Sequence, residues 1–283
     1  MSKQDPRTVV DIEQDPGLHR KPIVQSVTPF KLPFEIPKYH WARQPVDTRD
    51  IPYTLSSVSQ PNIVDLRPYC SAIEDQGNLG SCTGNAIAGA IELLDKRAGR
   101  TLDVSRLYIY YYERLLEGTV NYDSGAYIRD GMRAVYNYGA PLESLWPYDI
   151  TKFRMKPSTQ AIADGGRRKV TLYQAVANHQ GCLDSLANGY PVVIGFDVYS
   201  SFETNTVART GVMPYPNVNR EQLLGGHAVL LVGYDKTRQV YIVRNSWGTS
   251  WGDRGYFYMP FQVIQNTAMS SDFWTIRAVS NPA

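Results

Sequence analysis

Cysteine is scarce: the 283 residues hold 3, Cys70, Cys82 and Cys182. So few, and an odd number, exclude a disulfide framework and leave either no bridge or one bridge with one free thiol. Neither sign of charge dominates. Lys and Arg number 29 against 27 Asp and Glu, a net +2, so no broad field favours nucleic acid or an anionic membrane as partner. No stretch approaches the about 18 consecutive apolar residues of a membrane span. The start, Met1-Ser2-Lys3-Gln4-Asp5-Pro6, runs on into charged sequence without the apolar core of a secretory signal. No Asn-X-Ser/Thr acceptor occurs. These absences predict a reducing, cytoplasmic setting. A phosphate-binding glycine loop, an HExxH pair and paired CxxC motifs are also missing, so neither a metal nor an organic cofactor is expected.

Hydrophobic residues make up 43% of the chain and charged residues 20%, a globular mixture of a length that suits one large domain or two small ones. Residues 1–60 have a different texture. Prolines at 6, 16, 22, 29, 33, 37, 45 and 52 interrupt every helical period, while Phe30, Phe34, Ile36, Tyr39, Trp41 and Ile51 offer apolar anchors. This stretch reads as an extended N-terminal arm, and residues 61–283 as the packed domain.

In the first part of that domain the period is helical. Ile87, Ala90, Ile91 and Leu94 follow Cys82 at helical spacing, with Gly99 as the stop. Ser105 is placed to cap a second helix that carries Leu107, Tyr110, Tyr111 and Leu115 on one side and ends by Gly118. A third runs near 127–138 up to Gly139, and a fourth precedes Gly189. The tyrosines of these helices read as packing. Beyond Pro191 short β-branched and aromatic runs follow at 192–198, 228–234, 240–244, 255–259 and 273–279. Helices first and strands afterwards predict an α+β fold with two lobes and a cleft between them.

Three stretches carry chemistry. In Asp75-Gln76-Gly77-Asn78-Leu79-Gly80-Ser81-Cys82 a glycine-containing loop delivers a cysteine to the start of an Ala-rich helix. Backbone N–H groups and the helix dipole there favour thiolate over thiol. Gly225-Gly226-His227-Ala228 puts a histidine at the head of an apolar strand; His19, His40 and His179 lie in irregular sequence and carry no comparable signal. In Arg244-Asn245-Ser246-Trp247-Gly248 an asparagine leaves a strand where it can hold one imidazole nitrogen, and Trp247 can cover that hydrogen bond. Gly248-Thr249-Ser250-Trp251-Gly252 satisfies the serine-hydrolase pattern G-x-S-x-G, but a turn and a strand follow it where that motif needs a helix.

Together the three stretches resemble the papain-like cysteine peptidases, in order and over most of the chain from Asn62 to about Val279. The resemblance implies a two-lobed α+β fold, with Cys82 as nucleophile on the helical side and His227 and Asn245 on the β side. Gln76, six residues before the cysteine, falls where the family has its oxyanion glutamine. It further implies a peptide or protein substrate, bound along Ser124, Gly125, Gly226 and Trp247, with Gly125 offering backbone groups. The chain departs from the family at Thr83 and Asn85, where aromatic residues are usual, and at Leu79 and Tyr122, where a pair of bridged cysteines is usual. The spacing to His227 suggests an insertion within 202–224.

The expected activity is that of a cysteine endopeptidase working through a Cys82 thiolate and a His227 imidazolium. Acyl transfer to an amine and side-chain deamidation share the same chemistry up to the acceptor, and a catalytically silent peptide-binding module is the non-enzymatic alternative. The arm, 1–60, is expected to dock over the cleft as the inhibitory segment of a zymogen, or to serve as a permanent strap.

Overall fold

The computed structural model describes residues 39–56 and 59–280. The first helix, α1 (Cys82–Arg97), is buried along nearly its whole length and stops before Gly99, whose φ of +80° suits no side-chain-bearing residue. α2 (Arg106–Leu116) begins where the sequence predicts, because the Ser105 hydroxyl accepts the Tyr108 N–H. Its tyrosines 108, 110, 111 and 112 are buried, whereas Leu115, expected beside them, is exposed. α3 (Ile128–Asn137) follows. α4 (Thr159–Gly165), capped by Ser158, was too short to stand out as a period. α5 (His179–Ala187) buries Cys182 and is capped by Asn178. The remaining helices, α6 (Asn205–Thr210) and α7 (Phe261–Gln265), are single turns or little more.

Two strands escape the sequence pattern. β1 (Ile63–Asp65) is only three residues long, and β2 (Val170–Val176) is buried only at its two ends, so it shows no apolar alternation. The others occupy the expected places: β3 (Val192–Tyr199), β4 (Leu223–Asp235), β5 (Val240–Arg244), β6 (Tyr256–Pro260) and β7 (Ser270–Val279). They form one antiparallel sheet in the order β2-β7-β3-β4-β5-β6, with β1 added to β4. β2 thus joins the sheet from within the helical part of the chain. α1 packs on β4 and on α2, and α2 on α3, so the helical layer meets the sheet along α1. The architecture is α+β, as the order of helices and strands in the chain predicts.

Residues 39–55 contain no helix and lie along this body. Asp50 accepts both the Arg129 Nε and Nη2 (2.9 and 2.6 Å), the Tyr53 N–H donates to the Ala175 carbonyl of β2, and the Ala175 N–H donates to the Ile51 carbonyl. Of the expected anchors, Tyr39 and Trp41 are buried, Ile51 is exposed, and Phe30, Phe34 and Ile36 lie outside the described residues.

Candidate active site

Cys82 is the first residue of α1 and is fully buried. Its sulfur faces the backbone N–H groups of Ala228, His40 and Thr83. Burial outweighs those donors and, with the buried Glu113 carboxyl nearby, pushes the thiol up to about 11. His227 lies opposite Phe196 in the β3–β4 register, and burial pulls its imidazole down to about 4. Lost hydration thus disfavours both the thiolate and the imidazolium in this covered state.

Asn245, just past the end of β5, accepts from His227 Nε2 at 2.9 Å and from the Ser246 N–H at the same distance. That fixes the ring proton on Nε2 and leaves Nδ1, which is buried and has no hydrogen-bond partner among the described residues, as the basic nitrogen. Trp247 stacks on the imidazole, 4.9 Å between centroids and 23° between planes, and Trp251 and Phe202 buttress it edge-on. Gln76 is equally enclosed. Its Nε2 donates to the Leu79 carbonyl (2.9 Å), its Oε1 accepts the Ser246 hydroxyl (2.6 Å), and its backbone N–H donates to Ser246 O (2.8 Å). The Gln76 loop is thereby zipped to the turn that carries Asn245, and one amide hydrogen remains beyond the bond to Leu79.

The departures from the family pattern are satisfied locally. Thr83 donates to Glu113 (2.7 Å), and Asn85 donates to the Ser81 carbonyl and hydroxyl (3.0 and 3.1 Å). Leu79 is buried, Tyr122 is exposed, and all three cysteines are free.

The sequence pointed to the arm as a cover for the cleft but not to the residues of it that lie there. Tyr39 packs edge-on against His227 (5.8 Å, 73°) and beside Trp247 (5.9 Å), with its hydroxyl donated to Glu203 at 2.5 Å. His40, dismissed from its irregular surroundings, sits where Cβ atoms on Gly80 and Gly125 would overlap it. The Trp41 N–H donates to the Gly226 carbonyl at 2.9 Å, and a Cβ on Gly195 or Gly226 would overlap Trp41. Gly195 inside β3 and Gly226 inside β4, with no positive φ to demand either, were the readable signs of a close approach.

Of the residues expected along the substrate path, Gly125, Gly226 and Trp247 all meet residues 39–41. Gly125 does so by lacking a side chain; its N–H donates to the Tyr110 hydroxyl (3.0 Å), and its carbonyl, which accepts from Ser124 (2.9 Å), keeps a second lone pair. The Ser124 hydroxyl turns back into its own turn toward Thr119 and Gly125.

A cysteine at the start of a buried helix, a histidine held by asparagine and a tryptophan over that bond are joined by a sequence profile, papain family cysteine protease, that matches residues 60–275. The chain belongs to the papain family of cysteine proteases. It is accordingly a hydrolase. Among relatives of this papain-family chain, an uncharacterized peptidase C1-like protein of Acanthamoeba polyphaga mimivirus is 39% identical over 250 residues, covering 81% of this chain and 80% of that protein. A cathepsin L-like proteinase of Fasciola hepatica is 31% identical over 222 residues, 74% of this chain and 63% of its own length. The crystal structure of xylellain, a cysteine protease from Xylella fastidiosa, superposes with a TM-score of 0.79 at 39% identity, covering 85% of this chain and 96% of that one. Digestive procathepsin L 3 of Tenebrio molitor larval midgut shares the fold, with a TM-score of 0.61 at 21% identity over 78% of this chain and 73% of its own.

Proposed function

We propose that the protein is a cysteine endopeptidase made as a zymogen, with Cys82 as nucleophile, His227 as acid and base, Asn245 orienting His227, and Gln76 with the Cys82 N–H as oxyanion donors. The observation that carries this reading is the 2.9 Å bond from His227 to Asn245 beneath Trp247, which leaves only Nδ1 to exchange a proton with the sulfur. The Cys82 thiolate attacks a peptide carbonyl, and charge moves to the carbonyl oxygen, which the Gln76 amide and backbone N–H receive. Protonated His227 gives its proton to the leaving amine. Water, deprotonated by the now neutral imidazole, then hydrolyses the thioester.

The zymogen part rests on residues 39–41, which fill the space a substrate needs and exclude the water that the charged pair needs. Ser124, Gly125, Gly226 and Trp247 form the path of the peptide in this reading. Among the described residues no helix is long and apolar enough to cross a membrane, and three unpaired thiols suit a reducing, cytoplasmic setting.

The test is turnover of an unfolded protein substrate, with products identified by mass spectrometry. The full chain is expected to cleave slowly, Trp41→Ala to cleave at least severalfold faster, and Cys82→Ala in either background not at all. A mass shift without chain cleavage would move the assignment to deamidation or acyl transfer.

A further inference from the structure

Glu203 closes the turn Ser200–Glu203 that follows β3, next to Phe202. Its carboxyl is partly buried, and its one hydrogen-bond partner among the described residues is the Tyr39 hydroxyl. Burial raises that carboxyl above the usual range. The Tyr39 ring spans the gap between Glu203 and His227, lying against both the imidazole and Trp247. The body of the protein therefore keeps, one aromatic ring away from its proton donor, a carboxylate that it satisfies only with a residue of the covering segment. A half-buried carboxylate without a donor is costly, so the position is suited to whatever occupies the cleft.

Direction adds to this. From Tyr39 to Trp41 the segment passes first over His227, then over Cys82 and Gly125, then into the hollow at Gly195 and Gly226. His227 protonates the leaving amine, so in a productive peptide the residue after the cut lies over His227 and the acyl half lies along Gly226. A substrate thus runs opposite to the segment, which has suitable side chains in the wrong polarity. We propose that Glu203 is a specificity residue of the leaving-group side, selecting peptides whose first residue after the scissile bond is tyrosine, through a hydrogen bond from the phenol to its carboxylate. This rests on the peptidase reading above.

The experiment uses the full chain in a Trp41→Ala background and internally quenched peptides that share one acyl half with a tryptophan two residues before the cut. They differ only in tyrosine or phenylalanine after it. With Glu203 present, kcat/KM is expected to favour the tyrosine peptide by about tenfold, the range of a hydrogen bond to a charged acceptor. Glu203→Ala should bring the ratio to about one and Glu203→Gln to an intermediate value; if either variant does not fold, judged by its melting curve, the other carries the comparison. A ratio near one with Glu203 present, or an undiminished ratio in either variant, overturns the proposal. A peptidyl-aminocoumarin with the same acyl half has no residue after the cut. If it is hydrolysed while the tyrosine preference is absent, Glu203 is misassigned and the peptidase reading stands. If it stays intact, both fall.

Discussion

The Trp247 indole lies nearly parallel to the His227 imidazole, 4.9 Å away, and so roofs the bond from His227 Nε2 to Asn245. A hydrogen bond kept from water is electrostatically stronger than an exposed one, and here it sets both the tautomer and the angle of the ring. Trp247→Phe keeps an aromatic plate but uncovers part of the bond. Its kcat is expected to fall by about tenfold with KM for short peptides changing less, because ring orientation is needed in the transition state more than in binding. Asn245→Ala should cost more. Steady-state kinetics at one pH decides, and a larger loss in Trp247→Phe than in Asn245→Ala would refute the roof.

Gln76→Ala should lower kcat by about a hundredfold or more, the usual loss for one oxyanion donor. It should also destabilise the fold. Gln76 is fully buried and satisfies both the Ser246 hydroxyl and the Leu79 carbonyl, so its removal strands two polar groups, at about 1–3 kcal/mol. Urea denaturation of the variant beside the wild type measures this; unchanged stability with lost activity would mean that the two bonds contribute little.

Covered by residues 39–41, the Cys82 thiol is pushed up to about 11. A thiol with a raised pKa stays protonated and poorly nucleophilic until pH approaches that value. Iodoacetamide should therefore label Cys82 of the full chain only at alkaline pH. Trp41→Ala, by letting water and the imidazole's charge return, should move labelling to neutral pH and below. Mass spectrometry assigns the labelled residue, since burial also raises the thiols of Cys70 and Cys182. Identical pH profiles for the two proteins would contradict the link between cover and charge.

Glu113, under the nucleophile helix, is raised by burial from 4.5 to about 8. The folded state thus holds a proton that the unfolded chain has released, so this contribution is full below pH 4.5, weakens as pH rises, and is lost through pH 8. Glu113→Gln keeps an acceptor for Thr83 and removes the ionisation. Its Tm should exceed that of the wild type increasingly between pH 6 and 8, where the order of the effect is about 3 kcal/mol. A constant difference in Tm across that range would show that the carboxyl is not being held protonated.

Cys182, buried in α5, has no place in the chemistry. Cys182→Ala should lower stability by about 1 kcal/mol, as a small cavity does, and leave peptide turnover intact. Lost turnover in a folded variant would contradict the assignment of Cys82 as the single catalytic thiol.

Local signals determined much of this protein. The caps at Ser105 and the stops at Gly99 and Gly139 need only neighbouring residues, so the helices were legible; so were the strands that alternate or run apolar, and the three motifs around Cys82, His227 and Asn245. β2 was not, because its apolar residues are split between the exposed Leu172 and the half-buried Tyr173 and Ala175, and its place at the sheet edge depends on β7, about a hundred residues later. Residues 39–41 were not either. Tyr39 and Trp41 read as anchors, but nothing near them in sequence names Glu203, His227 or Gly195 as what they anchor to. The protonation of the catalytic pair followed the same rule. A cysteine at a helix start reads as favouring thiolate, and only the tertiary structure, by laying a distant segment over it and removing water, pushes it back toward the thiol. Conformation set by adjacent residues is written in the order of the chain, while dielectric and contact depend on which remote segments fold together.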